Sequence, residues 1–233
     1  KIMPLDINSN IITSLGTKYL NDTSLITSGL TLHFDFGVAS CYPGSGTSVT
    51  DLSPSGYVGT TYNSPSYSST NGGGLVFNNS NTYIDINSTT VIAGTNPFTV
   101  DMFYTLTGRA GGELFGNYGP SYNGLWISGM YGMYIGGTAC YFPGYPVANG
   151  TYYMACTRTS GGAMTTYKNG VSVTTASNST SLSLGINYRI GTDVNGNGEP
   201  FGGSLYCLRV YNRVLSATEV LQNYNAQRQK FGL

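Results

Sequence analysis

Residues 29–37 read GLTLHFDFG, and within them Leu30, Leu32, Phe34 and Phe36 alternate with Thr31, His33 and Asp35. A period of two sends alternate side chains to opposite faces of an extended chain, so one face of this segment is apolar and must be covered. Short extended runs recur at 75–78, 83–86, 98–106, 125–128, 133–135, 152–159 and 164–168, and then at 188–191 and 201–211. Between them stand turn-forming clusters such as Asn71 to Gly74, Gly111-Gly112 and Gly136-Gly137. Runs this short, separated by glycine at such intervals, restrict the chain to antiparallel β-structure. The clearest turn is Asn169-Gly170, between 164–168 and 171–173, because both central residues of a type I′ hairpin need positive φ. The 188–191 and 201–211 runs, joined by the loop 192–200, read as a final hairpin.

One helix closes the chain. Ser216 and Glu219 have capping-box spacing: the hydroxyl accepts from the Glu219 amide while the carboxylate reaches back to the Ser216 amide. Ala217, Val220, Leu221 and Tyr224 follow on one stripe, which predicts a helix over 216–230 docked on the β body. The chain of 233 residues suits a single β domain with a sizeable core. Residues 1–28 lack the glycine clusters and show neither period, and are expected to form an extended N-terminal arm before a domain at 29–233. Position 1 is Lys, which implies an upstream piece such as a signal or propeptide.

Lys plus Arg and Asp plus Glu number ten each, and only 9% of residues are charged, against about 25% in an ordinary soluble domain. Such a surface has no cluster of cations for phosphate backbones or anionic lipids, so nucleic acid and membrane partners are not expected. No run approaches the roughly 18 apolar residues of a membrane span. Cys41, Cys140, Cys156 and Cys207 have no metal-ligand spacing, and free thiols are expected, with Cys156 and Cys207 acting as small hydrophobes inside strands.

The blocks GLTLHFDFG (29–37), YPGSGTSVTDLSPSG (42–56), NGGGLVFN (71–78), YIDI (83–86), PFTVDMFY (97–104), TYYMACTRTSGGAMTTYKNG (151–170) and GGSLYCLRVYNRVLSATEV (202–220) together resemble the laminin-G-like, concanavalin-A-like jelly-roll domains. The YPGSG…DLS stretch and the ending LQNYNAQRQKFGL look most like versions in structural proteins of tailed bacteriophages. The resemblance implies an all-β, two-sheet antiparallel jelly-roll sandwich with one C-terminal helix. It implies no single activity, because this sandwich hosts lectins, adhesion domains and glycosidases alike.

Three sets of residues are candidates for chemistry. Tyr118, Tyr122, Trp126, Tyr131 and Tyr141, with Tyr134, Phe142 and Tyr145, crowd a glycine-rich segment. Flat rings of this kind stack on the apolar faces of sugars, although Tyr and Trp also fill cores. Asp193, Asn195 and Asn197, before Gly198, fit the first half of a calcium loop, and with Glu199 they are the candidate calcium ligands, but Ser204 stands where that loop needs its Glu; an ordinary turn is the competing reading. His33 and Asp35 share a strand face and are read as structural. Glycoside hydrolysis ordinarily needs two carboxylates about 5–10 Å apart, and Glu113, Glu199 and Glu219 form no such motif.

The expectation is therefore a non-enzymatic virion structural protein, a capsid decoration, fibre or tail component at the virion surface. Its jelly roll is displayed to host-surface glycans, and its arm contacts other virion subunits in a homo-oligomer. The alternative is a secreted or cell-surface carbohydrate-binding or adhesion module, located extracellularly. No cofactor is assigned beyond the calcium suggestion.

Overall fold

A computed structural model describes residues 24–117, 124–144, 149–182, 186–193 and 199–233, the side chains of 108–111 excepted. Sixteen strands are defined among them: β1 (Leu30–Asp35), β2 (Ser48–Thr50), β3 (Val58–Tyr62), β4 (Ser66–Ser68), β5 (Gly74–Asn78), β6 (Tyr83–Ile86), β7 (Phe98–Gly111), β8 (Glu113–Gly116), β9 (Leu125–Ser128), β10 (Gly132–Ile135), β11 (Thr138–Tyr141), β12 (Thr151–Arg158), β13 (Ala163–Lys168), β14 (Val171–Ser177), β15 (Tyr188–Ile190) and β16 (Phe201–Tyr211). They form two antiparallel sheets. The first runs β14-β13-β12-β7-β16-β5-β4, and the second β11-β10-β9-β8-β15-β6-β3-β2. In the first sheet the long β16 pairs β5 through Gly202–Leu205 and β1 through Cys207–Tyr211, so two strands share one of its edges.

The alternation read in the sequence now has a direction. Leu32, Phe34, Val100, Met102, Leu208 and Val210 of the first sheet meet Ile84, Ile86, Leu125, Ile127, Met133 and Tyr188 of the second in one buried core. At Asn169-Gly170 the chain turns in two residues, with Lys168 paired to Val171 and φ of 50° and 81° at the two turn positions. The 188–191 and 201–211 runs do not form the expected hairpin: β15 lies in the second sheet between β8 and β6, while β16 lies in the first. The loop between them therefore crosses from one sheet to the other, a fact that alternation alone does not reveal.

Helix α1 (Ala217–Gln227), extended by a 3-10 turn over Arg228–Phe231, covers the outer face of the first sheet. Its capping box is complete, with the Ser216 hydroxyl accepting from the Glu219 amide. Glu219 also receives both Arg213 guanidinium nitrogens, at 3.0 and 2.7 Å, which holds its carboxyl down at about 2. The buried stripe departs from the predicted one: Leu221 is 42% exposed, whereas Asn223 is fully buried. The reason lies underneath, where Asp101 on β7 accepts from Arg209 Nε at 2.6 Å, Asn223 Nδ2 at 2.7 Å and the Tyr153 hydroxyl at 3.0 Å. An uncompensated carboxylate there would be costly, so a polar helix residue is required at that position. Phe103, Tyr153, Tyr206 and Phe231 surround the network.

Residues 24–28, the described end of the expected arm, run along this helix. The Ser24 carbonyl accepts from Gln222 Nε2 at 3.0 Å, and the Ile26 amide donates to Asn223 Oδ1 at 2.9 Å. All four cysteines are buried free thiols. No helix among the described residues is long and apolar enough to cross a membrane.

Candidate functional site

The outer face of the second sheet carries the aromatic segment. Leu125 and Ile127 point into the core, so Trp126 between them points away from it. Register then aligns a row across the strands: Thr60 opposes Asp85, Asp85 opposes Arg189, Arg189 opposes Gly116, Gly116 opposes Trp126, and Trp126 opposes Tyr134. Tyr141 on β11 enters the same face beside the row, opposite Gly132.

At one end of the row the rings gather. Trp126 stacks on Tyr131 with centroids 5.8 Å apart and a 28° interplanar angle, and meets Tyr141 edge-on at 6.2 Å. Tyr131 and Tyr141 lie 5.7 Å apart. Beside them opens a cleft of about 250 Å³, lined among the described residues by Trp126, Tyr134, Tyr141 and Glu199. Trp126 is only 8% exposed, so its ring backs the cleft, while the half-exposed Tyr134 and Tyr141 offer the accessible surface. Burial, followed by the nearby Tyr134 and Glu199, holds the Tyr141 phenol above its ordinary pKa.

Glu199, a calcium candidate in the sequence, lines the aromatic cleft. It is held there by the backbone: the Glu113 amide donates to the Glu199 carbonyl at 2.8 Å. This close approach is possible because residue 112 is glycine, as a Cβ at that position would collide with the Pro200 carbonyl. Burial, and secondarily the charge of Asp193, raise the Glu199 carboxyl above its usual value. Tyr118, Tyr122, Asn195 and Asn197 lie outside the described residues, as does Tyr145.

Of the four calcium candidates, Asp193 and Glu199 are described and lie within electrostatic reach of each other, and Asn195 and Asn197 lie outside the described residues. Calcium takes about six to eight oxygen ligands, and the described part of the loop brings only Asp193 and Glu199. Arg189 Nη1 donates to the Asp193 backbone carbonyl at 3.2 Å. No group of three or more His, Cys, Asp or Glu suited to a metal ion occurs among the described residues. His33 and Asp35 share a face of β1 as expected, on the opposite sheet from the cleft. Asp35 accepts from the Gly37 amide at 3.0 Å, and burial together with Arg209 holds His33 below its ordinary pKa.

At the other end of the row, Arg189 pairs with Asp85 at 3.2 Å and lies 4.6 Å over the Tyr83 ring, on which Tyr62 stacks at 4.8 Å. The sheet face thus has a ring cluster with a carboxylate at one side and a paired arginine at the other.

Two antiparallel sheets packed face to face, with one helix on the outer face of the first, define a lectin/glucanase-like β-sandwich fold. The sequence profile of the concanavalin A-like lectin/glucanases superfamily matches residues 78–221, and the chain belongs to that superfamily. No curated protein matches the sequence. Among solved structures it is similar to domain 4 of AbnA, a GH43 extracellular arabinanase from Geobacillus stearothermophilus determined in complex with arabinotriose. The match has TM-score 0.63 and 17% identity, and covers 85% of this chain and all of that domain. It is also similar to Trypanosoma rangeli sialidase in complex with sialic acid, with TM-score 0.65 and 15% identity over 89% of this chain but only 34% of the sialidase. The binding domain of botulinum neurotoxin serotype G matches with TM-score 0.60 and 13% identity, over 84% of this chain and 50% of that one. At these identities the likeness concerns the fold.

Proposed function

We propose that this chain is a non-enzymatic glycan-binding domain whose site is the cleft formed by Trp126, Tyr134, Tyr141 and Glu199. The observation that carries the reading is the arrangement of these rings, which leaves flat apolar surface beside a carboxylate. Sugars present apolar faces flanked by hydroxyls, so ring stacking and a charge-assisted bond to Glu199 answer both halves of their surface. The complex of the arabinanase domain with arabinotriose adds support from a similar fold. Among the described lining residues Glu199 is the single carboxylate, and Glu113 is fully buried. That favours binding over hydrolysis, which ordinarily uses a pair of accessible carboxylates. The test is a glycan array with the intact chain, followed by incubation with whatever binds. Retention of the bound glycan unchanged is expected, and release of shortened products would refute the non-enzymatic reading.

The setting we propose is a virion surface, with the domain as a capsid decoration, fibre or tail component assembled as a homo-oligomer. Support comes from the resemblance of residues 42–56 and 221–233 to structural proteins of tailed bacteriophages. Mass spectrometry of purified particles from the source tests it. Recovery of the chain only from the soluble extracellular fraction would favour the secreted or cell-surface module instead.

A further inference from the structure

The cleft has a charge as well as a shape. Glu199 is the charged residue among its described lining, and two further carboxylates stand close by. Asp193 is near enough to act on the Glu199 carboxyl. Glu113 lies on the same sheet face, opposite Ser128 and two residues along β9 from Trp126. Its Oε1 is 2.5 Å from where a Cβ on Gly116 would stand, and Gly116 is the residue paired with Trp126. The arginine on this row, Arg189, is two strands from Trp126 and is bound to Asp85 at 3.2 Å. Its charge is therefore matched by a carboxylate of its own, and among the described lining residues of the cleft Glu199 alone is charged.

We infer, on the basis of the glycan-binding reading above, that Glu199 is a specificity-determining residue that admits neutral sugars to the cleft and rejects glycans carrying a carboxylate or sulfate. A neutral sugar hydroxyl donates to the Glu199 carboxylate. An anionic substituent in the same place meets a like charge in a partly buried position, where salt screens less than at an open surface. Discrimination of this kind rests on repulsion of the wrong ligand as much as on attraction of the right one. The selectivity is opposite to that of a sialic acid site, although 34% of a sialidase chain matches this fold.

The experiment uses the intact chain on an array of neutral oligosaccharides, each printed beside its sialylated, sulfated or uronic counterpart, with affinities of the bound pairs measured by titration. The wild type is expected to bind neutral members about tenfold or more tightly than their anionic counterparts. Glu199→Gln, which keeps hydrogen-bonding capacity without the charge, narrows that gap to within about threefold, whereas Glu199→Asp retains it. Raising salt from about 0.02 to 0.5 M narrows the wild-type gap without any substitution, which keeps the inference testable if Glu199→Gln does not fold. Equal or tighter binding of the anionic members, or a gap that neither the Gln variant nor salt moves, overturns the inference while leaving glycan binding intact. Binding to no member of the array overturns the underlying reading and the inference with it.

Discussion

Asp101→Asn should destabilise the domain strongly. The carboxylate is fully buried and accepts from Arg209, Tyr153 and Asn223 at 2.6, 3.0 and 2.7 Å. Asparagine keeps the volume but leaves the Arg209 guanidinium, also fully buried, without its counter-charge. Gln227 Oε1 still accepts from Arg209 Nη1 at 2.9 Å, yet a neutral amide does not replace a carboxylate. Removing one member of a buried ion pair costs about 3–5 kcal/mol. The helix shares the loss, because Asn223 is its buried polar contact with the sheet. For a domain of this size that corresponds to a fall in Tm of roughly 6–20 °C. Urea unfolding followed by far-UV circular dichroism measures it, with a lowered midpoint and an unchanged slope expected. Replacing both charges, as Asp101→Leu with Arg209→Met, should recover only the counter-charge part of the loss, because the Tyr153 hydroxyl and Asn223 amide still lose their acceptor. A cost below about 1 kcal/mol for Asp101→Asn would refute the claim that the Asp101 network, through Asn223 and Gln227, fastens the helix to the sheet.

Other outcomes follow from single features. Glu219, held at about 2 by Arg213 and the Ser216 cap, contributes stability above the ordinary glutamate value of about 4.3. This contribution is lost as pH falls toward 2, because the unfolded chain then binds the extra proton. Glu219→Gln should flatten the stability profile over that interval and cost up to about 1 kcal/mol at neutral pH, measured by denaturant midpoints across pH. Gly170→Ala places a side chain at φ 81°, with its Cβ 2.8 Å from Leu221 Cδ1, and should cost about 1–2 kcal/mol in thermal unfolding. A fall in Tm of several degrees in EDTA would support the calcium reading of Asp193, Asn195, Asn197 and Glu199, and a Tm unmoved by chelation would support the turn reading.

The legible part of this fold was local chemistry. Asn169-Gly170 needs positive φ at two successive positions, and Ser216 with Glu219 satisfies orphan amides at a helix start; both devices act within four residues and can be read from them. The alternation in 29–37 likewise reveals which residues face the core. What stayed hidden depends on residues distant in sequence. Nothing in 188–191 says that it pairs with Gly116 and Asp85 rather than with 201–211. The burial of Asn223 in place of Leu221 is set by Asp101, 122 positions away. The aromatic site was recognisable as a crowd of rings, but its carboxylate was not. Glu199 reads in sequence as part of a loop, and its place beside Tyr141 depends on the Glu113 amide and the bare Gly112 backbone, 86 and 87 positions away.

Glycan affinity of the wild type against Tyr141→Ala tests the central claim most directly, because Tyr141 lines the cleft and is partly exposed, whereas Trp126 is nearly covered. With circular dichroism and Tm confirming that the variant is folded, its affinity for the glycan that the wild type selects from an array should fall about tenfold or more, the loss of one stacking ring. A folded variant that binds as tightly as the wild type, or a wild type that selects no glycan, would contradict the assignment of this cleft.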